Sequence, residues 1–362
     1  MSVEAQGLSA AEMVSRLEES RQRGADWIVS RIEDDGKPVG ADRANLYYRV
    51  PWALQVAGRA DVAAHVLTWI EDHALTPEGD LRPGAPQSNW NAPMGWTKDA
   101  ASYPIAIIAY GAWLLERYDT AAAMMDTLKA FQDPETGGGY AERPEAEHRL
   151  TGRTELLCTA QLGLTALLTG RREMADAAFG WLERLWDGQP GLPDRLHLSV
   201  GRDGAIQTEA PAGSEFAYFL DVDKPRQAFF MPGLGAAFAG RYAMATGNKK
   251  GLEIGRGLLD VSERAHESQY DFTDTVHVGK FGWGAGVMTD ADPGTDAHVA
   301  DALRMGQWYL DSQLEDGRWN PTKFLVPEPD DADALWKTAE HIVLMTIVEM
   351  GLAGHPRNAF TK

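Results

Sequence analysis

The sequence predicts an all-α protein in which six outer and six inner helices form two concentric rings. Three observations predict it. A unit of helix, Gly/Asp-rich turn and second helix recurs six times along the 362 residues. The first helix of each unit is amphipathic, whereas the second is apolar on more than one face, the mark of a helix buried on all sides. Turn chemistry falls at the same place in every unit but the fifth.

In the first unit, Ala10–Ile32 carries Glu18, Arg21, Arg23, Asp26 and Arg31 on a wet face, then Asp34-Asp35-Gly36 turns the chain into Asp42–Ala57. The second pairs Ala60–His73 with Ala100–Arg117 across Glu78-Gly79-Asp80, and its inner helix holds the apolar stretch Tyr103 to Leu115. The third pairs Thr120–Phe131 with Gly152–Leu168 across Pro134-Glu135-Thr136-Gly137. In the fourth, Arg171–Trp186 leads through Asp203-Gly204 to Arg226–Thr246, where Pro232 should kink the helix or mark its true start. The fifth pairs Lys249–Ala265 with Phe281–Met288, and the sixth pairs Thr295–Leu314 with Asp333–Gly351 across Glu315-Asp316-Gly317. An aromatic closes several outer helices: Trp27, Trp69, Phe131, Trp181 and Trp308. Four glycines between Gly279 and Gly286 indicate close backbone approach at a crowded barrel axis. The expectation is one domain spanning 1–362.

Charge narrows the function classes. With 34 basic and 53 acidic residues the net charge is −19, a field that repels nucleic acid and anionic lipid. No stretch is long and apolar enough for a membrane span, and the acidic N-terminus lacks a secretory h-region, so a cytoplasmic location is expected. The single cysteine, Cys158, excludes an internal disulfide, and the nine histidines lack ligand spacing, so neither a metal nor another cofactor is expected. The expected partner is a small-molecule substrate, with self-association into a homo-oligomer as a further option.

The run Trp308 to Trp319 is similar to the Gln/Trp repeat of triterpene cyclases, and the whole chain resembles the (α/α)6 toroid shared by terpenoid cyclases, protein prenyltransferase subunits and several carbohydrate-active enzymes. Neither the Asp-x-Asp-Asp run nor the Asp-Asp-x-x-Asp metal motif of those cyclases is present. Asp330-Asp331-Ala332-Asp333 matches only superficially and reads as a loop feeding a helix N-terminus.

In such a barrel the outer-to-inner loops and the N-termini of the inner helices meet at one mouth, where the positive helix ends favour anionic groups. Candidate catalytic groups are Asp42, as N-cap or as acid–base residue, with Tyr48 or Tyr47 beside it, and Glu155 or Lys337 as alternative proton donors. Tyr47 and Tyr48 diverge by about 100°, so only one of them can line the cavity. Candidate substrate-binding residues are Trp90, Asn91 and Trp96 in a polar and aromatic loop, Tyr103, Glu215, Gln227, Phe229, Phe230, Lys280, Trp283, Trp336 and His341. Charged side chains on the otherwise apolar sixth inner helix are costly unless partnered or used. The toroid resemblance implies a cofactor-independent lyase or isomerase moving protons on a small, largely apolar, terpenoid-like substrate. The alternative is a glycoside hydrolase or sugar epimerase pairing Asp42 with Glu155, Glu209 or Glu215.

Overall fold

The computed structural model describes residues 8–83, 101–143, 152–273, 275–276 and 278–354. The outer helices are α1 (Ala10–Val29), α3 (Ala60–His73), α5 (Tyr118–Lys129), α7 (Arg172–Asp187), α9 (Lys249–Arg264) and α11 (Asp296–Ser312). They alternate along the chain with the inner helices α2 (Val50–Val56), α4 (Ser102–Leu114), α6 (Leu156–Leu168), α8 (Phe230–Thr246), α10 (Lys280–Ala291) and α12 (Asp331–Gly354). Each inner helix packs on the next, and α12 packs on α2 to close the ring; α1 fills the seam against α12 and α11. The fold is an (α/α)6 toroid.

Sequence explains why each ring sits where it does. α4 reads SYPIAIIAYGAWL, and its residues from Ser102 to Ala109 are all buried, so no face of it is wet. The first turns of α2, α4 and α8 hold Pro51, Pro104 and Pro232, where a missing N–H costs no helical hydrogen bond. Pro232 therefore marks a start. Glycine lets α8, α10 and α12 touch backbone to backbone: a Cβ on Gly233 would lie 2.1 Å from the Lys280 carbonyl oxygen, and one on Gly286 would lie 2.6 Å from that of Ile347.

One turn recurs. Gly36, Gly79, Gly137 and Gly317 all have φ between +74° and +93°, and a Cβ on any of them would strike backbone of the following outer helix, at His65, Met124, Ala177 and Arg23 respectively. The fourth loop replaces this turn with strands in two short antiparallel pairs: β1 (Thr154–Glu155), just before α6, with β3 (Ser199–Val200) of this loop, and β2 (Arg195–His197) with β4 (Phe219–Asp221) within it.

Three inner helices begin at least four residues later than the periodicity predicts, α8 among them at Phe230 instead of Arg226. A 3-10 turn, Leu46–Arg49, precedes α2, so Asp42 lies in a loop outside the helix. Thr154 and Glu155 are extended, and Glu155 caps α6 by accepting from the Cys158 N–H at 2.8 Å. Asp330 Oδ1 accepts from the Ala332 and Asp333 N–H groups at the start of α12, which is the work of the acidic run there. No helix among the described residues is long and apolar enough to cross a membrane.

Candidate functional site

A cavity lies where the six inner helices begin. Tyr48 reaches it from the turn before α2, Tyr103 from α4 and Leu157 from α6. Phe230 and Lys280, the first residues of α8 and α10, supply the next part of the wall. Trp336, Lys337 and Glu340 come from the second and third turns of α12, and the loop residues Val276, Gly279 and Leu325 complete the lining. The converging helix N-termini give this end of the barrel a positive potential.

The floor is a charge cluster. Glu340 Oε2 accepts from Lys337 Nζ at 2.5 Å and Oε1 from Lys280 Nζ at 3.0 Å, while Arg49 Nη1 stands 3.3 Å from Oε1. All four side chains are under 10% exposed. Burial alone would raise the Glu340 carboxyl, but the charges of Lys280, Lys337 and Arg49 outweigh it and hold the group well below the usual carboxylate range. Burial pulls both lysine ammonium groups down, against the opposing pull of Glu340, and Arg49 lowers each further. Lys280 also sits at a helix N-terminus, the end that disfavours a cation. Three cations thus surround one carboxylate.

Two phenols face this floor. The Arg49 Nη2 group donates to the Tyr103 hydroxyl at 2.8 Å, and Trp336 Nε1 donates to that of Tyr48 at 2.9 Å. Burial raises both phenols well above their ordinary value, offset in part by Arg49. Each hydroxyl is therefore protonated, and with an acceptor lone pair engaged its proton is free to point into the cavity. From outside the cavity, Tyr309 of α11 donates its hydroxyl to the Gly279 carbonyl, which anchors the turn that presents Lys280.

Of the sequence candidates, Tyr48, Tyr103, Phe230, Lys280, Trp336 and Lys337 line this cavity together. Tyr47 does not; it is buried edge-on against Trp69 of α3, as its divergence from Tyr48 requires. Asp42 is corrected outright: its side chain is 80% exposed and paired with Lys37 at 2.5 Å, because the loop before α2 swings it to the surface. Glu215 is exposed, and Gln227 is spent on the Asp221 N–H and the Pro225 carbonyl. Phe229 is core, Trp283 packs on Trp52, and His341 is boxed by Trp308, Tyr309 and Trp319. Glu155 is fully buried as a helix cap, where burial raises its carboxyl despite Arg153. Trp90, Asn91 and Trp96 lie outside the described residues.

Arg49 has no place among the sequence candidates, and Glu340 enters the sequence reading only as the i+4 neighbour of Trp336. Both are charges beside or within apolar inner helices, and that cost was the available signal. Among the described residues no cluster of histidine, cysteine and acidic side chains has the makings of a metal site.

No protein-family model matches the chain, and no curated protein matches it. Solved structures do match in fold. A D-mannose isomerase superposes with a TM-score of 0.64 at 11% identity, covering 93% of this chain and 97% of its own. An α-mannanase of glycoside hydrolase family 76 from Bacteroides thetaiotaomicron gives 0.59 at 14% identity, covering 93% and 97%. A type II terpene cyclase from Scytonema gives 0.56 at 12% identity, covering 94% and 98%. All three are toroid enzymes, and at these identities the likeness is one of fold: the chain shares their (α/α)6 toroid.

Proposed function

We propose that the chain is a cofactor-independent lyase or isomerase that moves protons on a small, largely apolar, terpenoid-like substrate in this cavity. The observation that carries the reading is the placement of two buried lysines and two buried phenols around one carboxylate, inside walls of Leu157, Phe230, Val276, Leu325 and Trp336. Lys280 is the proton acceptor, since burial, Arg49 and its helix terminus all favour the neutral amine. Tyr103 is the donor, because the Arg49 guanidinium on its oxygen stabilises the phenolate that forms. Lys337, which donates to Glu340 at 2.5 Å, holds that carboxylate in place. A C–H bond breaks toward Lys280 and its electron pair enters a double bond; the proton from Tyr103 goes to a departing hydroxyl or to another carbon. No electron is gained or lost.

The fold neighbours include an isomerase, a cyclase and a hydrolase, so the choice among these classes rests on the cavity. The hydrolase reading needs two carboxyl groups facing each other across the scissile bond. Among the described lining residues Glu340 is the one carboxylate, and it is clamped by cations. Incubation with a panel of terpenoid alcohols and short branched acids in deuterated water, read by mass spectrometry, tests the proposal. Deuterium on carbon is expected from the wild type and not from Lys280→Met or Tyr103→Phe. Incorporation that persists in both variants, or cleavage of mannosides with no incorporation, overturns it.

A further inference from the structure

We propose that the substrate presents a carboxylate to Lys280 and Lys337, with Arg49 behind them, so that the cavity is an anion site with apolar walls. The inference deepens the proton-transfer reading and rests on it. Charge counting is the first argument. With the Lys337–Glu340 pair charged and Arg49 a cation, the cluster keeps one positive charge in excess even with Lys280 neutral as a base, and two with it charged. An excess charge buried this deeply is costly, and a bound monoanion cancels it.

The second argument is an unsatisfied cation behind the wall. Arg49 does not line the cavity, yet its buried Nη1 makes no hydrogen bond, and its approach to Glu340, at 3.3 Å, is an ion pair without directed geometry. Its charge therefore adds to the positive potential at Lys280 and Lys337, the two basic side chains that do reach the cavity. The apolar remainder of the molecule would lie against Phe230, Val276 and Leu325.

The test measures binding without turnover. Titration calorimetry would compare 3-methylbut-2-enoate, its primary amide of the same shape, and inorganic phosphate, each with the wild-type protein. The carboxylate is expected to bind at least about tenfold more tightly than the amide, and phosphate more weakly than the carboxylate. Equal binding of acid and amide, or tighter binding of phosphate, overturns the proposal with no mutant needed. Two variants sharpen it: Glu340→Gln, which removes the competing negative charge, should tighten carboxylate binding about tenfold, and Arg49→Met should abolish the preference over the amide. A folded Glu340→Gln protein with unchanged or weaker carboxylate affinity also counts against it. Because binding is read alone, an enzyme that holds the carboxylate yet never exchanges deuterium sinks the proton-transfer reading and leaves the anion site standing.

Discussion

Replacing Gly233 by alanine tests whether the cavity is held by backbone contact between α8 and α10. The added methyl would lie 2.1 Å from the Lys280 carbonyl oxygen, 2.4 Å from its carbon and 2.5 Å from the Phe281 nitrogen, all of them backbone atoms with no rotamer to yield. Ordinary contact begins at 3.4 Å, so the helices must part by 3.4 − 2.1 = 1.3 Å. A Cβ on Gly284 would in turn lie 2.6 Å from the Gly233 carbonyl oxygen, so the same pair of helices is close-packed from both sides. Overpacking of this kind costs about 1–3 kcal/mol. With an unfolding entropy of roughly 2.1 cal/mol/K per residue, a chain of 362 residues loses about 1–4 °C of melting temperature for that cost. The larger effect is on chemistry, because the displaced carbonyl belongs to the residue proposed as the base. A misplacement near 1 Å costs on the order of a hundredfold in rate. Gly180 of α7 is the control: its Cβ would meet only the end of the Arg184 side chain at 3.4 Å, so Gly180→Ala should gain up to about 1 kcal/mol from helix propensity and leave turnover alone. Circular-dichroism melts and deuterium exchange read both variants. A Gly233→Ala protein with wild-type melting and wild-type exchange would refute the backbone-contact argument.

Three further outcomes are expected. Asp301 of α11 is buried beside Glu263 of α9, with Arg304 at 3.7 Å; burial first and the neighbouring Glu263 second push its carboxyl up to about 8. The folded chain then keeps a proton that the unfolded chain releases above about 3.8, so stability is lost as pH rises from 4 toward 8; Asp301→Asn should flatten this loss in urea titrations, and an unchanged pH slope would contradict it. Asp42→Asn should leave melting and turnover as they are, since Asp42 faces solvent with Lys37, and a hundredfold loss of rate would restore Asp42 to the mechanism. Calorimetry should give one main unfolding transition for a ring closed by α12 on α2, and two well-separated transitions would mean that the halves fold independently.

The rings were legible because burial leaves a periodic trace. α3 has the predicted bounds, and the other five outer helices differ by at most three residues at either end. The starts of inner helices were harder to read. Asp42 and Gly152 look like helix beginnings because both precede apolar runs, yet an irregular turn and a two-residue strand intervene, and such local detours carry no period. The cavity was half visible. Lys280, Lys337 and Trp336 stood out as polar or aromatic groups on apolar helices, and the divergence of Tyr47 and Tyr48 was geometric. That Arg49, Lys280 and Glu340 meet could not be read from the sequence, because 54 residues separate even Arg49 from Tyr103, and 60 separate Lys280 from Glu340. No local rule reports which of six helix ends face one another.

The repeated turn has a consequence for how this scaffold can vary. At Gly36, Gly79, Gly137 and Gly317 the spacing between successive units is set by main chain pressed on main chain, and these turns lie on the outer-to-inner connections, at the end of the barrel that holds the cavity. The bore of the chamber is therefore gauged by parts that contribute no side chain to it. Exchange of Lys280, Glu340 or Tyr103 alters the reagents without altering the diameter of the vessel, so selection can rewrite the chemistry while the turns hold the ring true. Proteins sharing little more than a tenth of their residues with this chain, and named for a hydrolase, an isomerase and a cyclase, superpose on it along almost their whole length, as such a separation of gauge from reagent would allow.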